Sequence, residues 1–169
     1  MIFRGYGLGC CSNVFFLYVQ FDPNPFADES AETEAASVAY RYRKFNLGSI
    51  RLITRCELHC YTMRRNEEEF ATIHAINEWD PKYASGVNWR QTIDKQRGTL
   101  AVTEIKNNAA KFAKWTAQAI LAGAHQMKLG YVSRVAPNNP YEHVVLSMQS
   151  FKPKDLASQT NLSVTNMWG

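Results

Sequence analysis

Two short stretches carry groups that could do chemistry. Read as a strand, residues 98–106 place Leu100, Val102, Glu104 and Lys106 on one face, so a carboxylate and an ammonium share a side with apolar residues. Residues 50–58 read the same way, with Ile53, Arg55 and Glu57 on the face that continues to His59. Acids delivered at strand ends can hold a hard cation such as Mg²⁺. A lysine two residues on can orient water or neutralise phosphate charge, which is the chemistry of a metal-dependent phosphodiester hydrolase. Glu57 and Glu104 are the metal-ligand candidates. The Glu-x-Lys spacing is short, and taken alone it fits a simple strand-end ion pair better than a metal site.

A second group points to nucleic acid. On a helix, Lys111, Trp115, Gln118 and Ala122 lie in one row beside Lys114, offering ammonium groups for phosphate, an indole for stacking and an amide for a base edge. Charge is segregated along the chain. Residues 40–65 hold seven bases against one acid, residues 95–134 again seven against one, and residues 22–36 five acids and no base. Opposed patches of this kind suit a basic groove for a polyanion. The expected RNA-binding residues are Arg97, Lys106, Lys111, Lys114, Trp115 and Arg134.

Other groupings carry less. Cys56, His59 and Cys60 are three potential ligands within five residues, but with only Cys10 and Cys11 remote they lack the paired spacing of a zinc module. Gly5, Gly7 and Gly9 imitate part of a dinucleotide loop without the strand and helix it needs. His74, His125 and His143 are scattered and have no nucleophile context. No cofactor is expected.

The elements that must position these groups follow from periodicity. Residues 109–124 repeat apolar side chains at i, i+3, i+4 and i+7, a wide buried helical stripe. Residues 22–36 read as a Pro-rich turn entering a helix over 35–47, with cations in its last turns and Gly48 as a stop. Strands are expected over 50–58, 70–76, 98–106, 127–133 and 144–151, and an irregular loop held down by its aromatics over 77–96. Five strands with two or three helices and no regular βαβ alternation predict an α+β fold, a mixed sheet flanked by helices.

With 169 residues, 46% of them hydrophobic and 20% charged, the chain can bury a single domain core and is not a disordered or low-complexity sequence. The longest apolar run, Val14 to Val19, falls far short of the roughly 20 residues of a membrane span. A short apolar stretch near the start is followed by Gln20, Phe21 and Asp22 rather than a small-residue cleavage site, and four cysteines do not make a disulfide scaffold. A soluble protein of the reducing cytoplasm is expected.

Uncommon words then recur in order: Asn24-Pro25-Phe26, Arg55-Cys56-Glu57, Asn77-Glu78-Trp79-Asp80, Gly86-Val87-Asn88-Trp89-Arg90-Gln91, Thr103-Glu104-Ile105-Lys106-Asn107-Asn108, Lys128-Leu129-Gly130-Tyr131-Val132-Ser133-Arg134 and Gln149-Ser150-Phe151-Lys152-Pro153. From about residue 22 to residue 169 the chain resembles the D-subunit family of eukaryotic translation initiation factor 3. The resemblance implies a subunit of the multiprotein factor that loads the small ribosomal subunit onto mRNA. Its implied partners are capped mRNA, the other initiation factor 3 subunits and the small ribosomal subunit, with no membrane. It also implies a cap-binding domain similar in fold to the decapping exoribonucleases, here a partial copy spanning 22–169 behind a divergent segment at 1–21. Glu57, Glu104, Lys106 and Gln118 fall where those enzymes carry an acid, an acid-x-lysine pair and a helical glutamine. His59 stands where they carry a second acid, and imidazole is a softer ligand than carboxylate. The implied function is cap and RNA binding without catalysis; the alternative is a decapping hydrolase built on those four residues.

Overall fold

A computed structural model describes residues 2–3, 39–80, 88–136 and 138–168. The acidic stretch at 22–36, its expected helix entry and the Gly5, Gly7 and Gly9 motif lie outside the described residues. Two compact units share the chain, Met1–Thr72 with Gln118–Gln126 and Ile73–Ala117 with Met127–Gly169, so the division runs through two strands and one helix.

The first unit holds a three-stranded antiparallel sheet of β1 (Ile2–Phe3), β2 (Ala39–Leu47) and β3 (Ile50–Leu58), in that order. The helix expected over 35–47 is therefore, from residue 39 on, a strand. Its side chains alternate between half-buried (Arg41, Arg43, Phe45, Leu47) and exposed (Tyr42, Lys44, Asn46), which is the period of a pleated strand. The clustered cations imitate the charged end of a helix. Gly48, expected to stop that helix, instead opens a two-residue hairpin loop completed by Ser49, and its own φ of +59° is what a type II′ turn requires at that position. The strand Ile50–Leu58 is observed as expected.

β4 (Cys60–Arg64) and β5 (Glu67–Asn77) form a second hairpin, whose loop residues Arg65 and Asn66 both have positive φ, the signature of a type I′ turn. β6 (Gln126–Arg134) and β7 (His143–Phe151) complete a four-stranded sheet of order β4-β5-β6-β7. β5 and β6 run parallel: His125 N–H bonds Phe70 O near their starts and Glu78 N–H bonds Val132 O near their ends, each at 2.7 Å. The outer pairs are antiparallel, so the sheet is mixed and the fold is α+β, as the sequence predicts. Met127, Leu129 and Tyr131 of β6 are fully buried, and Lys128 and Ser133 nearly so, as befits an inner strand covered on both faces.

Between β5 and β6 lie α1 (Trp89–Thr92), α2 (Arg97–Asn107) and α3 (Ala109–Ala122). The strand expected over 98–106 is a helix. Thr99, Val102, Thr103 and Ile105 supply strand-like β-branched character, but the buried residues are Leu100, Ala101, Glu104 and Ile105, an i, i+1, i+4, i+5 stripe. The loop expected over 77–96 contains α1, which buries Trp89, whereas Trp79 is exposed. The alanine-rich α3 is a helix as expected, and Gly123 at φ +65° ends it in the left-handed conformation. α4 (Pro153–Gln159) starts with proline in its first turn and is followed by a 3₁₀ helix, Thr165–Trp168.

The core of the second unit joins Trp89, Leu100, Ile105, Phe112, Met127, Leu129, Tyr131 and Leu156. In the first unit a smaller cluster joins Cys56, Leu58 and Ala122 to Phe70, Leu121 and Ala124. There Arg43 Nη1 donates to the carbonyls of Ile120 (3.1 Å) and Leu121 (2.7 Å), and Arg41 Nη1 donates to those of Ala122 and Gly123 (3.3 Å each). Two strand arginines thus satisfy carbonyls that a helix C-terminus leaves without intrahelical partners.

Candidate nucleic-acid interface

All six expected RNA-binding residues fall in the second unit. Arg97 begins α2 and Lys106 lies near its end; Lys111, Lys114 and Trp115 lie on α3, and Arg134 ends β6. The five cations are exposed and Trp115 is half-buried. The i, i+3 and i+4 spacing puts Lys111, Lys114 and Trp115 on one face of α3. Lys111 Nζ stands over the Trp115 ring, 5.8 Å from its centroid.

That indole is anchored. His74 of β5 stacks on it with centroids 4.5 Å apart and planes 11° from parallel, while Phe112 meets it edge-on at 5.7 Å. The outcome is a cationic helix face with a positioned aromatic ring in its middle. Ala122, expected in the same row, is fully buried in the first unit, and Gln118, also of that unit, is exposed. The row extends three turns in sequence, but its last residue turns inward because the apolar stripe of α3 is wider than one face.

The carboxylates are arranged differently from the sequence expectation. With residues 98–106 helical, Glu104 and Lys106 point about 200° apart around α2, at about 100° per residue. Glu104 is buried while Lys106 is exposed, and they form no pair. Trp89 Nε1 donates to Glu104 Oε1 at 3.3 Å and Asn108 Nδ2 donates to Oε2 at 3.2 Å, so both oxygens accept hydrogen bonds from within the fold. Burial pushes the Glu104 carboxyl above its ordinary value, the bonds from Trp89 and Asn108 pull it back, and the Glu78 charge adds to the rise. Glu78 Oε1 itself accepts the backbone N–H of Trp89 at 2.9 Å. Tyr131 meets the Trp89 ring edge-on at 5.4 Å; burial, with the charge of Glu104 adding and Arg97 opposing, pushes its phenol up to about 12.

Glu57 belongs to the first unit, exposed on β3 with its Oε1 3.5 Å from His59 Nε2. Among the described residues no three histidines, cysteines or acids gather into a metal-binding group. Cys56 and Cys60 are both buried. Sequence reasoning misses Trp89, Asn108 and His74 as positioning groups. Trp89 and Asn108 stand in the uncommon words Asn88-Trp89-Arg90 and Lys106-Asn107-Asn108, whereas nothing in the sequence pairs His74 with Trp115.

A sequence model described as eukaryotic translation initiation factor 3 subunit 7 (eIF-3) matches residues 17–169. The chain belongs to the family of initiation factor 3 D subunits. It is 53% identical over 149 residues to the D subunit of Arabidopsis thaliana, covering 88% of this chain and 25% of that protein. It is 52% identical over 151 residues to the D subunit of Nasonia vitripennis and to the D-1 subunit of Drosophila melanogaster, covering 88% of this chain and 27% of each. The chain therefore spans about a quarter of the length of these curated relatives. Among solved structures it is similar to Scheffersomyces stipitis Rai1 in complex with (3′-NADP)+ and calcium ion, with TM-score 0.45, 11% identity and coverage of 73% of this chain and 27% of that one. It is also similar to Candida albicans Rai1 in complex with pU5-Mn²⁺, with TM-score 0.47, 10% identity and coverage of 75% and 27%. Among the described residues no helix is long and apolar enough to cross a membrane.

Proposed function

We propose that this chain is part of a translation initiation factor subunit that binds mRNA, at the 5′ methylguanosine cap and along the adjoining RNA. It would act within the multisubunit initiation factor 3 on the small ribosomal subunit in the cytoplasm. The observation that carries this reading is the family match over residues 17–169, with about half of the aligned residues identical to the D subunits of a plant and an insect. The anchored Trp115 with Lys111 and Lys114 beside it supports the RNA part, since a fixed ring stacks a base while ammonium groups neutralise flanking phosphates.

A binding role is favoured over hydrolysis by the state of the acids. Glu104 spends both oxygens on Trp89 and Asn108, Lys106 faces elsewhere, and Glu57 lies beside His59. The test is competition. Capped RNA bound to the chain in its assembled factor is displaced by methylated cap analogue and not by unmethylated guanosine triphosphate; equal displacement by both removes the cap from the account. Cap-labelled RNA incubated with Mg²⁺ or Mn²⁺ stays intact. Release of cap that disappears in Glu104→Gln would establish the hydrolase built on Glu57, Glu104, Lys106 and Gln118 instead.

A further inference from the structure

The β2–β3 hairpin of the first unit uses its two faces differently. Its inward arginines, Arg41 and Arg43, are committed to carbonyls at the end of α3. Its outward face carries three more cations, Lys44, Arg51 and Arg55, all exposed. The register sets Tyr42 opposite Arg55, Lys44 opposite Ile53 and Asn46 opposite Arg51, so cations and flat or apolar side chains alternate across the ladder. Tyr42 is 47% exposed and Ile53 69% exposed. Arg55 lies over the Tyr40 ring, its guanidinium carbon 4.7 Å from the centroid. Among the described residues Lys44 and Arg51 have no ion-pair partner, and the first acid on this face is Glu57, already beside His59.

We propose that this face is a second RNA-binding surface, distinct from the α3 face, which takes single-stranded RNA. Tyr42 stacks a base while Lys44, Arg51 and Arg55 neutralise the flanking phosphates. The charge calls for a polyanion, and the exposed aromatic ring between cations chooses among polyanions. An acidic peptide would use the cations and leave Tyr42 idle, and a duplex would hide its bases in the stack. On β3, Arg51 and Arg55 stand four residues and about 13 Å apart, with Lys44 of β2 opposite Ile53 between them, a diagonal row that suits an extended chain of phosphates.

The probe is a short, uncapped, fluorescent oligouridylate titrated with the chain over a range of salt, with poly-glutamate as competitor. Tyr42→Ala is expected to weaken binding on the order of tenfold and Tyr42→Phe to leave it unchanged. Lys44→Ala with Arg51→Ala is expected to flatten the log–log salt slope by about 1.4, two phosphates at about 0.7 each. All the changed side chains are exposed, and unchanged thermal melts confirm the fold. Unaltered affinity and slope in these variants overturn the proposal. So does a loss in the double variant that Tyr42→Ala does not share and that poly-glutamate competes away, because the surface then belongs to acidic peptides. Lys111→Ala with Lys114→Ala, measured alongside, separates the two surfaces: a loss confined to that variant refutes this face and leaves the α3 face standing.

Discussion

Arg43→Ala should destabilise the first unit by about 2–3 kcal/mol. The guanidinium donates to two carbonyls at the end of α3, at 2.7 and 3.1 Å. Hydrogen bonds made by a charged group are worth about 1.5–3 kcal/mol each when buried, and half-exposure argues for the low end. A cation at a helix C-terminus adds roughly 0.3–1 kcal/mol, and the Phe45 ring 5.0 Å away adds about 0.5 kcal/mol. These contributions share one side chain, so they combine to less than their sum. Arg43→Lys keeps the charge but loses the fork and should recover about half. Urea unfolding followed by far-ultraviolet circular dichroism is the assay, with the midpoint falling at unchanged slope. A loss within about 0.5 kcal/mol, the range of an ordinary surface substitution, would refute the capping role.

Glu104→Gln should change how stability depends on pH. Burial raises the folded-state value above the ordinary 4.5, so the protonated carboxyl stabilises the fold below that value and the contribution disappears as pH rises through the raised one. Urea midpoints across that window should fall in the parent and stay flatter in the amide variant; parallel profiles would contradict the assignment. Thr116→Val should hold or raise stability by up to about 1 kcal/mol, because the fully buried Thr116 hydroxyl has no hydrogen-bond partner among the described residues and the two side chains have the same shape. A marked loss in thermal melting would show that the hydroxyl is satisfied.

What can be read from the sequence is whatever local pattern decides. Residues 50–58 alternate cleanly and are the strand β3 with those bounds, and the stripe of α3 repeats often enough to fix a helix. Residues 39–47 and 98–106 mislead for opposite reasons. In β2 the cations look like a helix end, because only the tertiary fold reveals that Arg41 and Arg43 serve the end of another element. In α2 the β-branched residues outweigh the adjacent buried pair Leu100 and Ala101, a pairing that a half-buried strand does not make. The candidate site divides in the same way. Lys111, Lys114 and Trp115 share a face by spacing alone, so they are legible. The same-side placement of Glu104 and Lys106 depends on the period assumed, and it fails once the period is helical. The stacking of His74 on Trp115 joins residues far apart in sequence, beyond the reach of any local pattern.

The measurement closest to the central claim is the salt dependence of capped-RNA binding by the assembled factor carrying Lys106→Glu and Lys111→Glu in this chain. Both side chains are exposed and neither supports the core, so the fold should tolerate the change. If the cationic surface of α2 and α3 binds RNA, affinity falls and the log–log slope flattens by about 1.4 for two lost single-strand phosphate contacts. Unchanged affinity and slope would contradict the account.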